Sequence, residues 1–456
     1  MGVRAGRRLR DLSQRISPPQ LTVLSFALLV LCGAGLLALP AAAESGEGTP
    51  FAAALFTSTS AASVTGLAVV DTGGHWSPLG EAVILALIQV GGFGIMALAT
   101  VLTLVVGRHL GLRMAVRTGS ETKTLTLGEV RRIALGILAV TLVFEAALMA
   151  VLTLRWWIGY DIPFGSAAYL GLFHAVSSFN NAGFSPFADS LMGYATDPWI
   201  TVPVAVAVVA GGLGFPVWVE LWRFARRRGE RHTWTIHARI TLSVTGCLLA
   251  VGFAAFLALE WDNPATMGGL DLRGKLLTGF FQAVMPRTAG FNSLDFGAMN
   301  TQTLLVTDLL MFVGGGSAGT AGGIKVTTFA VLLFVVLANV RGEPTVHVGH
   351  RRLGEGVASQ AVTVVLLSLS LVLAGTLALM TMTTFTLDEI LFETTSAFAT
   401  VGLSTGITAD LPVPGQMVLV FLMFVGRIGP IALASALALR RRARAYELPE
   451  ERPIVG

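Results

Sequence analysis

Four times along this chain a phenylalanine stands ten residues before a glycine: Phe56 and Gly66, Phe173 and Gly183, Phe280 and Gly290, Phe392 and Gly402. The glycines lie 117, 107 and 112 residues apart. The turns read Val64-Thr65-Gly66-Leu67, Asn181-Ala182-Gly183-Phe184, Thr288-Ala289-Gly290-Phe291 and Thr400-Val401-Gly402-Leu403. A second glycine element follows each turn: Gly91-Gly92-Phe93-Gly94, Gly211-Gly212-Leu213-Gly214, Gly314-Gly315-Gly316 and Gly426-Arg427-Ile428-Gly429. Self-similarity at a fixed period means one structural unit used repeatedly. The second element serves either close helix packing or a pore.

The surroundings of the repeat are apolar. Of 456 residues, 54% are hydrophobic and 13% charged, against roughly 25% charged in a soluble protein. Mean hydropathy is +0.73. Eight segments are long enough to cross a hydrocarbon core of about 30 Å: 21–40, 79–106, 130–154, 198–222, 238–260, 302–339, 357–385 and 414–439. Between the members of each pair lies a stretch too short to span, near 51–62, 166–179, 272–286 and 387–399, and the glycine turn follows it. Non-helical backbone at membrane depth is tolerated only where protein or a watery cavity covers it. A short helix that returns as extended chain is how pore loops are built.

Charge gives the orientation. The gaps that hold the glycine turns carry Glu44, Glu47, Asp71, Asp161, Asp189, Asp197, Asp262, Asp271, Asp295, Asp388, Glu389 and Asp410. The two ends and the other gaps, including Arg108–Arg132 and Arg223–Arg239, hold 25 of the 31 lysines and arginines. Positive loops stay in the cytoplasm, which puts both termini there. Arg4 to Arg15, an apolar run and Ala41-Ala42-Ala43 resemble a signal peptide, but Leu21–Leu39 exceeds a usual h-region of about 7–15 residues and reads as the first spanning helix. Cys32 and Cys247 give no disulfide or zinc spacing and read as small core residues.

Each repeat is thus a spanning helix, a pore half-helix with its loop, and a second spanning helix. Four such loops around one axis bring roughly sixteen backbone carbonyls to a common line, where they replace the hydration shell of a monovalent cation. Glycine permits the backbone angles this needs, and the half-helices aim negative C-terminal ends at the cavity.

These motifs resemble the Trk/Ktr/HKT superfamily of potassium transporters, and most closely its Ktr-type membrane subunit. The resemblance runs from about Pro18 to Arg442 and rests on Arg287-Thr288-Ala289-Gly290-Phe291-Asn292, Ala399-Thr400-Val401-Gly402-Leu403-Ser404-Thr405-Gly406 and Gly319-Thr320-Ala321-Gly322-Gly323-Ile324-Lys325. It implies an all-α polytopic membrane protein: four tandem M1–P–M2 repeats, with eight spanning helices and four pore half-helices, around a pseudo-fourfold central pore. It implies one filter glycine per repeat, K+ bound at Thr65, Asn181, Thr288 and Thr400, a homodimer, and cytoplasmic nucleotide-binding regulatory ring subunits (KtrA-like). Some plant relatives that favour sodium have serine for the first glycine. Gly66 therefore favours potassium, with sodium dependence left open.

Gly314, Gly315, Gly316, Gly319, Gly322 and Gly323 crowd one predicted span with Ser317. Each glycine costs a helix about 1 kcal/mol relative to alanine, so the span is expected to break into an intramembrane loop, whose family counterpart is a mobile loop blocking the pore. Lys325, just beyond, either holds the loop by a salt bridge or snorkels. Arg427 falls mid-span, where a cation costs at least about 2.5–3.5 kcal/mol. It lines the pore below the filter, or pairs with Glu145, Asp308 or Glu393. Arg287 is expected to brace its loop through carbonyls or a carboxylate such as Glu393, and His174 and Gln282 are expected to be buried braces.

Nothing supports an enzyme: the chain has no phosphate loop and no His-Glu-x-x-His. The parallel repeats count against a secondary carrier of organic solutes, many of which use inverted repeats. A non-conducting scaffold subunit is the other rival. The expected divisions are a cytoplasmic N-terminus (1–20), repeats at 21–107, 108–225, 226–340 and 341–440, and a cytoplasmic tail (441–456), in a bacterial cytoplasmic membrane.

Overall fold

A computed structural model of the chain describes residues 18–94, 127–226, 234–343, 345–348, 351–354 and 356–429. The first unit comprises α1 (Pro18–Leu37), α2 (Phe51–Ala62) and α3 (Pro78–Gly94). The second comprises α4 (Leu127–Gly159), α5 (Phe164–Phe179), α6 (Pro198–Leu213) and α7 (Phe215–Arg226). The third comprises α8 (Ile236–Glu260), α9 (Leu272–Val284), α10 (Thr301–Phe312) and α11 (Val326–Val340). The fourth comprises α12 (Val357–Met380), α13 (Leu387–Ala399) and α14 (Val413–Ile428). A two-stranded antiparallel hairpin, β1 (His347–Val348) with β2 (Arg351–Arg352), joins the last two units.

Among the described residues, four helices are long and apolar enough to cross a membrane: Gln20–Leu37, Arg131–Gly159, Ile236–Glu260 and Val357–Met380. Each is the first helix of its unit. Their exposed leucines recur at helical spacing, Leu21, Leu24, Leu28 and Leu31 on α1 and Leu366, Leu369, Leu373 and Leu377 on α12. Apolar stripes of this kind suit lipid contact. Cys32 and Cys247 lie on these outward faces as free, exposed thiols. This corrects their reading as core residues, because α1 and α8 turn those sides away from the bundle.

The second span is broken in the second and third units. The predicted span 198–222 breaks between α6 and α7 with a 102° bend. Gly214 caps α6 at φ +87°, a backbone hand open chiefly to glycine. Pro216 follows and offers no N–H to continue the helix. The span 302–339 breaks as expected, into α10 and α11 around residues 313–325. Counting α6 and α7 as one crossing gives five candidate spans. The ends of the expected spans 79–106 and 414–439 lie outside the described residues.

The short helices α2, α5, α9 and α13 have 12, 16, 13 and 13 residues, about 18–24 Å at 1.5 Å per residue. Phe56, Phe173 and Phe392 are fully buried, as the repeat requires. The third unit differs, since Phe280 is exposed and its neighbour Phe281 is buried. There α9 ends at Val284, and the wider turn Met285–Ala289 carries the chain to Gly290, which changes the phase between helix and glycine. Trp156 anchors the core between the second and third units, packing on the rings of His174, Phe187 and Tyr194 at centroid distances of 5.0, 5.9 and 5.9 Å. Such pairs contribute about 0.5–1.5 kcal/mol each beyond burial.

Candidate functional site

The four repeat glycines meet in a closed ring. A Cβ built on Gly66 would collide with the carbonyl of Ala182 and sit 3.2 Å from Gly183 Cα. One on Gly183 would lie 2.7 Å from Gly290 Cα, and one on Gly290 2.5 Å from Val401 O and 3.2 Å from Gly402 Cα. One on Gly402 would collide with Thr65 O and lie 3.0 Å from Gly66 Cα, which closes the circle.

The approach to each glycine has the same backbone form. Val64, Asn181, Thr288 and Thr400, two residues before the glycines, take φ of 55°, 59°, 67° and 50°. The glycines follow at 98°, 72°, 73° and 92°, while the residue between each pair keeps a negative φ. A left-handed non-glycine residue costs about 1–3 kcal/mol, and helix-end hydrogen bonds offset that cost. In the first, second and fourth units the helix closes in a Schellman motif. The Thr65, Ala182 and Val401 amides donate to Ser60, Ser177 and Ser396 at 2.8, 2.7 and 2.8 Å, and the Val64, Asn181 and Thr400 amides to Ala61, Ser178 and Ala397. The third unit uses Ala289 N to Met285 O, 3.0 Å, instead. Register places Val64, not Thr65, beside Asn181, Thr288 and Thr400. The hydroxyls of Thr288 and Thr400 are buried with no partner among the described residues.

Sequence reasoning missed one set of braces. Ser60 and Ser396 accept from the amides of Gly66 and Gly402, both at 3.1 Å, and Ser177 donates to Phe184 O at 2.8 Å. Each serine lies six residues before its ring glycine, a periodicity visible in the sequence. The third unit has Val284 there. Glu393, behind the fourth turn, accepts from Ser404 Oγ, Thr405 N (3.2 Å) and Thr408 Oγ1 (2.9 Å). Asn180, at the end of α5, donates to Gln89 (2.9 Å) and Glu145 (3.0 Å). His174 is buried, with Nδ1 2.9 Å from Leu170 O and Nε2 3.1 Å from Ser185 Oγ. Gln282 is equally buried, but its amide has no partner among the described residues, so the expected bracing contact is not seen there.

The two sides of the ring differ. On the side of the residues that follow the glycines, a cavity of about 360 Å³ is lined by all four ring glycines. On the side of the helix ends lies the break between α10 and α11. Gly314 N donates to Ile324 O (2.8 Å) and Val326 N to Gly315 O (3.1 Å), which closes the loop at its base. Gly316 and Thr320 amides donate to Gly212 and Gly211 carbonyls at 2.8 and 3.2 Å. Thr320 Oγ1 sits 2.9 Å from the Asn181 side-chain amide, whose nitrogen in its satisfied orientation donates to it and to Phe179 O. Gly322 leaves no room for a side chain against Thr400 Oγ1. Ser317 Oγ is 2.8 Å from Thr327 Oγ1.

Three cations hold this loop through carbonyls. Arg287 donates to Val313 O (3.0 Å) and Gly314 O (2.7 Å), not to Glu393. Lys325 donates to Ala321 O, and among the described residues it forms no salt bridge. Arg427 donates to Thr320 O and, at 3.4 Å, to Gly91 O. The paired glycines of the flanking helices are close-approach sites: side chains at Gly91, Gly211 and Gly426 would strike the carbonyls of Ala62, Phe179 and Phe398, each four residues before a ring glycine.

Known proteins share this chain's sequence and fold. Over 426 residues the chain is 39% identical to Ktr system potassium uptake protein B of Bacillus subtilis, covering 93% of this chain and 94% of that protein. Its identity to the protein of the same name from Vibrio alginolyticus is 38% over 438 residues, 96% and 95% of the two chains. It is 35% identical over 452 residues to the potassium/sodium uptake protein NtpJ of Enterococcus hirae, covering 97% and 98%. The crystal structure of the potassium transporter TrkH from Vibrio parahaemolyticus shares the fold, with TM-score 0.72, 19% identity, and 91% and 84% of the chains covered. Residues 26–441 match the family model described as TrkH, cation transport protein. The chain belongs to the TrkH family of cation transport proteins, a family of ion transporters and not of enzymes.

Proposed function

We propose that this chain is the ion-conducting subunit of a potassium uptake system, passing K+ inward through the ring of Gly66, Gly183, Gly290 and Gly402. The observation that carries the reading is the closed ring itself, in which each glycine abuts the backbone of the next repeat. Alternating backbone hand on the approach to each glycine gathers successive carbonyls on one side of the chain, whereas in a strand successive groups point to opposite faces. Carbonyls so gathered replace the hydration shell of a cation without a fixed charge to trap it. The unpartnered Thr288 and Thr400 hydroxyls fit the same path, since buried polar groups normally have a partner and a passing ion supplies one.

Four M1–P–M2 repeats, divided at about 21–107, 108–225, 226–340 and 341–440, surround the path. Eight crossings put both termini in the cytoplasm of a bacterial cell, with the 360 Å³ cavity facing outward. The loop 313–325, with Lys325 and Arg427, is the gate beneath the filter. The likeness to proteins named as parts of a Ktr system supports assembly with partners, here a second copy of the chain and a cytoplasmic nucleotide-binding ring docked on the basic segments. The name of NtpJ supports testing sodium as a second transported ion.

The test is flux of K+ and Na+ into proteoliposomes holding the purified chain or its Gly402→Asp variant. Potassium-selective flux abolished by Gly402→Asp is the expected result. Flux unchanged by that variant contradicts the reading and leaves the scaffold alternative.

A further inference from the structure

We infer that Asp71 and Asp295 form a cation-collecting pair at the outer mouth of the pathway, an inference that rests on the proposed function above. Each lies five residues after its ring glycine, Gly66 or Gly290. Both line the cavity that opens onto the ring. The ring runs Gly66, Gly183, Gly290, Gly402 and back, so the first and third units face each other across it. The two carboxylates therefore flank the ion path from opposite sides. At the same register the other two units carry Ala188 and Ile407, so the charge pair is not a by-product of the repeat.

Both carboxylates are exposed and neither is in an ion pair among the described residues. Asp295 Oδ1 accepts from Gly297 N at 2.9 Å. Asp71 starts the single turn Thr72–His75 through its backbone carbonyl, which accepts from His75 N at 3.0 Å. Negative charge in a cleft with low-dielectric walls focuses the field and raises the local cation concentration, and the gain falls steeply with ionic strength. The pair acts on hydrated monovalent cations before selection. It sets how often an ion reaches the ring, while the ring decides which ion passes.

The experiment uses the full chain in proteoliposomes and measures K+ uptake against external K+ for wild type and the Asp71→Asn/Asp295→Asn double variant. Asparagine keeps the shape of both residues and the helix-capping ability of Asp295. At an ionic strength of about 0.01 M, where the Debye length is about 30 Å, the double variant should need about five-fold more K+ for half-maximal uptake. Maximal flux should not change. In about 0.5 M N-methylglucamine chloride the difference should vanish, because screening shortens toward about 3 Å. No shift at low ionic strength, or a shift that survives high salt, overturns the pair. Gly402→Asp in parallel vesicles separates the failures: where it abolishes flux, a flat double variant refutes the pair alone, and where it does not, the proposed function falls and the pair with it.

Discussion

Arg427, near the end of α14, donates to the carbonyl oxygen of Thr320 in the break of the third unit. The contact joins the last helix of the chain to the loop beneath the glycine ring. Arg287 and Lys325 grip the same loop, also through carbonyls. A hydrogen bond to a charged group contributes about 1.5–3 kcal/mol net, so these three side chains set how firmly the loop stays under the ring.

Replacing Arg427 with alanine should therefore free the loop and remove a positive charge from the path. Basal K+ flux is expected to rise about ten-fold, the effect of losing one such bond. Deleting part of 314–323 should do the same. Radiotracer uptake at matched protein content checks both, and a variant that only loses flux while expressing normally refutes the gate.

The glycines at Gly91, Gly211 and Gly426 are packing sites, because a side chain there meets a carbonyl at the end of the neighbouring short helix. Gly426→Ala should destabilise the fold by about 1–3 kcal/mol through overpacking. Gly35→Ala on α1 has open space around it and should gain up to about 1 kcal/mol in helix propensity. Thermal unfolding in detergent distinguishes them, with opposite shifts in Tm expected.

Ser60 and Ser396 hold the amides of their ring glycines. Ser60→Ala and Ser396→Ala each remove one hydrogen bond worth about 0.5–1.5 kcal/mol, so K+ over Na+ selectivity should fall about two- to ten-fold with flux retained. Val284→Ala is the matched control, since no hydroxyl stands there, and it should leave selectivity unchanged. Equal effects from all three would refute the brace.

The ring was legible because it depends on one residue type. Only glycine combines a positive φ with carbonyls in contact, so the four turns stood out by number. The loop at 313–325 was legible for the related reason that six glycines in ten residues cannot stay helical. Carbonyl partners were among the expectations for Arg287 but not for Lys325 and Arg427, because every residue carries a carbonyl and no sequence pattern marks which one a buried cation meets. A break at Gly214 was equally hidden, because apolar residues on both sides read as one span. Phe280 misled for a geometric reason, since counting to a glycine assumes the same turn in every unit, and the third unit has a longer one.

The most direct test of the central claim is the K+ to Na+ permeability ratio of Gly402→Ser and Gly66→Ser in proteoliposomes with opposing ion gradients. A Cβ at either position strikes the backbone of the next unit at a left-handed φ, so carbonyl direction must change. The expected result is a ratio lowered at least about ten-fold, the loss of about 1.4 kcal/mol of discrimination. A ratio equal to that of the unmodified chain, with normal flux, would contradict the ring as the selectivity filter.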